Sequence, residues 1–203
     1  MKTLYTGISC PDPAFVHTPL IEIRPLEDDS ALRQAASELA AYDYLLFTSR
    51  HAVSALLQYV AVLPQPLRIV SIGPTTTEAL RQAGIAAAEQ VEQDNSYGVT
   101  DWFSSRPRGR VLIPRSSLAL DIIPKGLRAL GYEVTTVTAY ENHPPENPQK
   151  VDLGQMDRIV FTSPSTIDNF ISLYGALPTG KQLSARGPVT AQYLQTKIKE
   201  QNL

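Results

Sequence analysis

The segment DYLLFTSRHAV, residues 43–53, returns as DRIVFTSPSTI at residues 157–167. In each, a short apolar run closes on Phe-Thr-Ser and gives way to apolar residues at helical spacing. A run of this length, bounded by polar residues, reads as a strand buried on both faces, the kind that builds parallel sheets. The match continues without a gap, Asp43–Leu80 onto Asp157–Leu194 at an offset of 114, with ten identities in 38 positions. Leu63-Pro64 falls on Leu177-Pro178, and Gly73-Pro74-x-Thr76 falls on Gly187-Pro188-x-Thr190. Strand, hydroxyl-bearing turn, helix, strand, Gly-Pro turn and helix therefore occur twice in one order. Strand alternating with helix implies parallel βαβ units, and the duplication implies two similar α/β lobes rather than one sheet.

Working outward, strands are expected at Leu45–Phe47, Ile69–Ile72, Val111–Ile113 and Ile159–Phe161, with a first buried strand over 3–9. Helices are expected at Arg50–Val60, Thr75–Ala83, Tyr97–Ser104, Leu120–Leu130 and Ser165–Tyr174. Gly84 and Gly131 stand where a helix ends in a left-handed residue. Pro19–Leu26 and Tyr132–Tyr140 are extended and rich in β-branched residues, and helical patterns resume after each. Read as linker strands over 19–26 and 132–141, they leave a first lobe at 27–131 and a discontinuous second lobe, 1–18 plus 142–203. The expected fold is flavodoxin-like in each lobe, a parallel sheet flanked by helices, with a two-stranded linker and the ligand site in the cleft between lobes. A continuous N-terminal lobe followed by a C-terminal one remains open.

Composition removes several function classes. The 203 residues are 43% hydrophobic and 19% charged with net charge −2, so no global basic field points to nucleic acid. Cys10 is the single cysteine, which excludes an intramolecular disulfide, a Cys-rich metal site and a CxxC redox pair. His17, His51 and His143 show no metal-ligand spacing. No apolar run approaches 18 residues, so no membrane span is expected. The start, MKTLYTGISC, is too short and too broken for a signal peptide, and the cytoplasm is the expected compartment. GxxxxGK[ST], GxGxxG and GxSxG motifs are all absent from the sequence.

What stands out instead is a set of turns. Thr48-Ser49-Arg50, Gly73-Pro74-Thr75-Thr76, Pro114-Arg115-Ser116-Ser117, Thr162-Ser163-Pro164-Ser165 and Gly187-Pro188-Val189-Thr190 all follow expected strands. Hydroxyl side chains cap helices there, proline suits the first helical turn, and the backbone N–H groups face the carboxyl edge of the sheet, where α/β proteins bind ligands. Singly, each turn reads as ordinary capping. Together, with Arg50, Arg115 and Arg186 beside them, the five helix starts suit a ligand bearing many carboxylates or phosphates. Tyr140, at the end of the second linker, is a candidate hydrogen-bond donor to a leaving oxygen or, equally, a packing tyrosine.

These residues resemble the uroporphyrinogen-III synthase family over most of the chain. The resemblance rests on Phe161-Thr-Ser-Pro-Ser-Thr-Ile-Asp-Asn-Phe170 and Ala185-Arg-Gly-Pro-Val-Thr-Ala191. It is extended by Leu112-Ile-Pro-Arg-Ser116, Leu127-x-x-Leu-Gly-Tyr132, Val137-x-x-Tyr140 and Pro19-Leu-Ile-Glu-Ile23. It implies two α/β lobes on a two-stranded linker, a substrate held largely by backbone amides, and no metal or organic cofactor. It also makes Tyr140 the side chain that matters most to activity. The implied reaction closes hydroxymethylbilane, a linear tetrapyrrole with eight carboxylates, to uroporphyrinogen III. Loss of the terminal hydroxyl gives an azafulvene cation, which the substituted carbon of ring D attacks to form a spiro intermediate. Fragmentation and reclosure then invert ring D.

The resemblance makes Tyr140 the catalytic residue, and the repeated turns make Thr48, Ser49, Arg50, Gly73, Thr75, Thr76, Arg115, Ser116, Thr162, Ser163, Ser165, Gly187 and Thr190 the expected substrate-binding residues. The implied partner is hydroxymethylbilane, handed over by its synthase, with no nucleic acid or membrane and a monomeric chain. The sequence departs from the family in three places. An arginine after the first strand is missing, since the stretch is Thr6-Gly-Ile-Ser-Cys-Pro11. The helix after that strand has almost no room, and the chain stops soon after the Gly-Pro-Val-Thr-Ala helix. A second-lobe sheet one strand short is expected. A non-catalytic homologue, or a two-lobed binding protein for an anionic small molecule, is the alternative.

Overall fold

The two Phe-Thr-Ser stretches each close a buried strand and open a helix. A computed structural model describes residues 1–86 and 88–201. In chain order its elements are β1 (Thr3–Tyr5), β2 (Val16–His17), β3 (Glu22–Arg24), α1 (Ser30–Ser37), β4 (Tyr44–Phe47), α2 (Arg50–Leu57), β5 (Arg68–Ile72), α3 (Pro74–Gln82), β6 (Glu89–Val91) and α4 (Ser96–Ser104). They continue with β7 (Arg110–Ser116), α5 (Ile122–Ala129), β8 (Glu133–His143), β9 (Arg158–Phe161), α6 (Pro164–Tyr174), β10 (Gln182–Ala185) and α7 (Pro188–Glu200). The chain divides into two compact units, Arg24–Glu141 and Met1–Ile23 with Asn142–Leu203. Strands β3 and β8 run across the two points where the chain passes from one unit to the other. No helix among the described residues is long and apolar enough to cross a membrane.

In the Arg24–Glu141 unit the sheet order is β3-β8-β7-β4-β5-β6. Pairs β8–β7, β7–β4, β4–β5 and β5–β6 are all parallel. The first strand of the parallel set, β4, thus sits in its middle, and Leu45, Leu46 and Phe47 are fully buried. The chain winds outward through β5 and β6, then returns to lay β7 on the other side of β4. The winding direction reverses between β4 and β7, and an open α/β sheet leaves its ligand crevice at the carboxyl ends of the strands flanking such a reversal. On the core side, Tyr44, Trp102, Phe103 and Tyr132 meet edge to face.

The other unit repeats this plan with fewer strands, all parallel, in the order β10-β9-β1-β2. By the sequence repeat, β9 and β10 stand for β4 and β5, and β1 and β2 take the places of β7 and β8. No strand among the described residues takes the place of β6. Between β1 and β2 the chain makes turns and bends instead of a helix, as the few residues available dictate. The first strand is shorter than 3–9. It ends at Tyr5, and two residues on Gly7 lies so close to its neighbours that a Cβ there would lie 2.7 Å from Thr162 Cγ2 and 2.8 Å from Tyr5 Cε1. The core is built on Phe161, Phe170 and Tyr174, with ring centroids 5.3 Å and 4.5 Å apart.

Candidate functional site

Ser49 ends the loop after β4 and caps α2. Its backbone is extended, at φ −157° and ψ 140°, and its hydroxyl oxygen accepts the His51 backbone N–H at 3.1 Å. The same oxygen accepts a hydrogen bond from the Tyr140 hydroxyl at 3.0 Å. Tyr140 reaches it because of an irregularity in β8. Arg115 pairs with Thr138, but the next residue, Ser116, pairs with Tyr140, leaving Ala139 extra. The in–out alternation breaks there: Thr138 is exposed, and Ala139 and Tyr140 are both buried. A bulge re-aims side chains in this way, and here it aims the phenol at the β4 end. The Ser117 N–H clamps the bulge by donating to the Tyr140 carbonyl at 3.0 Å.

Tyr140 is only 8% exposed. Burial raises the phenol pKa above its ordinary value, and the bond to Ser49 opposes this in part. The phenol is therefore a proton carrier at neutral pH rather than an anion. The half-buried His51 ring stands 5.6 Å from the Tyr140 ring, centroid to centroid. Burial, then the neighbouring Arg50 charge, lowers its pKa, so the fold prefers His51 neutral. The unfolded chain then binds the extra proton first. The stabilisation is present above the unfolded histidine value of about 6.5 and is lost as pH falls from there through the folded value. His51→Gln should flatten the fall in melting temperature between about pH 7 and pH 5. An unchanged profile would remove His51 as its source.

The other expected residues sort by element. Thr48, Ser49 and Arg50 lie at the β4–α2 junction. At the neighbouring β5–α3 junction Gly73 is the N-cap with φ 74°, Thr75 is exposed, and Thr76 is buried at 4% exposure. In the other unit, Ser163 caps α6 in a reciprocal box with Thr166, and its hydroxyl lies 2.9 Å from that of Ser165. Thr162 packs on Gly7. Gly187, φ 84°, opens α7, and Thr190 is buried at 4% exposure. Thr76 and Thr190 thus face inward from their helices. What α3 and α7 offer a ligand is their first-turn N–H groups, left without intrahelical partners.

One turn differs from the expectation. Pro114-Arg115-Ser116-Ser117 does not start a helix: Pro114, Arg115 and Ser116 belong to β7, and α5 begins at Ile122. Four helix starts remain, at α2, α3, α6 and α7. The Arg115 guanidinium is engaged within its own loop, 2.8 Å from Asp121 Oδ1 and 3.3 Å from the Leu120 carbonyl oxygen. Ser116 accepts the Leu118 N–H at 3.1 Å. Sequence reasoning also missed the direct Ser49–Tyr140 bond and the exposed apolar trio of Leu118 and Leu120, on the loop after β7, and Ile122, at the start of α5. The run SSLALDII carries a signal for the trio, since its apolar residues lie beyond the buried strand. Nothing local in the sequence marks a partner 91 residues away.

Sequence and fold both have matches among known proteins. The family model described as "Uroporphyrinogen-III synthase HemD" matches residues 14–200. The uroporphyrinogen-III synthase of Chlorobaculum parvum is 29% identical over 194 residues, covering 87% of this chain and 77% of that protein. That of Synechococcus elongatus is 27% identical over 198 residues, covering 88% and 75%. In fold, the chain is similar to the uroporphyrinogen III synthase of Thermus thermophilus, with TM-score 0.66 and 19% identity over 96% of this chain and 88% of that one. The Helicobacter pylori uroporphyrinogen-III synthetase gives TM-score 0.61 and 18% identity, covering 100% and 89%. The sequence match takes in both units and all four helix starts, and the chain belongs to the uroporphyrinogen-III synthase family.

Proposed function

We propose that this chain closes hydroxymethylbilane to uroporphyrinogen III, inverting ring D and releasing water. The observation that carries the reading is the Tyr140–Ser49 hydroxyl pair at the end of β4, beside the reversal point of its sheet. The chemistry needs a proton donor where the terminal hydroxyl leaves, and a neutral buried phenol linked to a half-exposed hydroxyl supplies one. It also needs eight carboxylates held in a folded arrangement. In one unit the amides and hydroxyls of Thr48–Arg50, the first-turn amides of Gly73–Thr76 and the hydroxyl of Ser116 are assigned to them. In the other, the assignment falls to Thr162–Ser165, Gly187 and Thr190. Amide dipoles already aimed at the anions need no reorganisation as the cation forms, and correct positioning lowers the barrier further.

The same reading has the chain act as a monomer in the cytoplasm. The linear substrate closes by itself to the type I isomer, which favours direct hand-over from hydroxymethylbilane synthase. The test is to incubate the protein with freshly made hydroxymethylbilane, oxidise the products and separate the isomers. Type III is expected to dominate. Type I alone, with the substrate merely bound, would favour a binding protein for anionic small molecules.

A further inference from the structure

We propose that the proton reaching the departing hydroxyl is handed over by Ser49, with Tyr140 standing behind it as the positioning residue that resupplies that proton. This rests on the synthase reading above. A serine hydroxyl has one proton and two lone pairs. At Ser49 Oγ two hydrogen bonds arrive, from the Tyr140 hydroxyl at 3.0 Å and from the His51 N–H at 3.1 Å. With its acceptor sites filled, the oxygen can only point its own proton elsewhere. The Tyr140 hydroxyl, in turn, directs its single proton at Ser49 and sits in a side chain that is 8% exposed. Ser49 is half-buried, so of the two oxygens it is the one with both a proton to give and access to a ligand. Accepting two hydrogen bonds also polarises the Ser49 O–H and makes it a better donor. Its extended backbone, locked by the start of α2, fixes where that proton points.

The step balances. The bond from the terminal methylene carbon to oxygen breaks, and its electron pair leaves with the oxygen. The Ser49 proton joins that oxygen to give water, and the Tyr140 proton moves onto Ser49 Oγ. The products of the step are water, the azafulvene cation and a phenolate at Tyr140. When ring D has closed and its carbon gives up a proton to restore the pyrrole, that proton returns the phenol to its resting state.

The test compares type III formation by the parent, Ser49→Ala, Ser49→Gly, Ser49→Thr, Tyr140→Phe and the double variant Ser49→Ala/Tyr140→Phe. Ser49→Ala and Ser49→Gly should each lower kcat about 100-fold with KM little changed. Threonine, which keeps both the hydroxyl and the cap, should restore most of the rate. Glycine serves nearly as well as serine at a helix N-cap, whereas alanine does not. A purely structural role would therefore leave Ser49→Gly active. The double variant should be no slower than the slower single one, because the two hydroxyls act as one unit. Full activity in Ser49→Ala or Ser49→Gly, or losses that multiply in the double variant, would overturn the relay alone. A parent protein that makes no type III isomer would overturn the reaction and the relay together.

Discussion

Tyr140→Phe is expected to slow type III formation about 10²–10⁴-fold, the usual range for losing a positioned acid. The substitution keeps the ring on the bulge of β8 and beside His51, and deletes one hydroxyl. Among the described residues that hydroxyl hydrogen-bonds Ser49 alone. A bond of this kind contributes about 0.5–1.5 kcal/mol to stability, so the variant should fold and melt only a few degrees lower. Ring closure without the enzyme goes on at its own rate and should supply a larger share of product as the type I isomer. Isomer ratio and melting temperature together decide the matter. Type III formation at the parent rate would make Tyr140 a packing residue.

Phe103→Ala should act on the opposite quantity. Phe103 is 0% exposed and lies between three rings, with centroid distances of 5.2 Å to Tyr44, 4.8 Å to Trp102 and 5.0 Å to Tyr132. All three contacts are edge to face, an arrangement that contributes beyond simple burial. Emptying this position should cost about 3–5 kcal/mol, a large part of the total stability of about 5–15 kcal/mol expected of a folded domain. The Tyr132 hydroxyl donates to the Phe103 carbonyl at 2.8 Å and so anchors the backbone at the end of α4, which limits how far the site can collapse into the cavity. Urea unfolding should register the loss, while the type III to type I ratio from protein that remains folded should hold. A midpoint shift equivalent to less than about 1 kcal/mol would mean that the aromatic cluster repacks around the gap.

Much of the architecture was legible because it is written twice. The offset of 114 placed β4, α2, β5 and α3 by comparison with β9, α6, β10 and α7, and it located four helix starts that carry the candidate anion sites. Elements outside the repeat were harder to see. Strand β6, Glu89–Val91, is short and mostly polar at an outer position of its sheet, so it lacks the apolar run that marks β4. The extent of β7 was hidden by Pro114, which ordinarily argues against a strand. It is tolerated because β4 pairs with β7 at Val111 and Leu112, and Pro114 lies beyond that stretch, where its missing N–H breaks no bond to β4. Tyr140 was found by position and resemblance, but its partner was not. The meeting with Ser49 depends on one extra residue in β8, a register property that appears only once two strands are paired.

The strand order β10-β9-β1-β2 also bears on how the chain is made. Thr3–Tyr5 pairs with residues 158–160 of β9, so a ribosome must add about 150 residues after the first strand emerges before its central neighbour exists. At roughly 5–20 residues per second that is a wait of roughly 8–30 s. Until then β1 has only the two-residue strand β2 beside it, too little to hold on its own. Arg24–Glu141 faces no such delay, since its strands follow one another within a single stretch. Synthesis should therefore leave a nascent chain whose middle is ordered while its leading segment is still exposed and in need of protection from wrong partners.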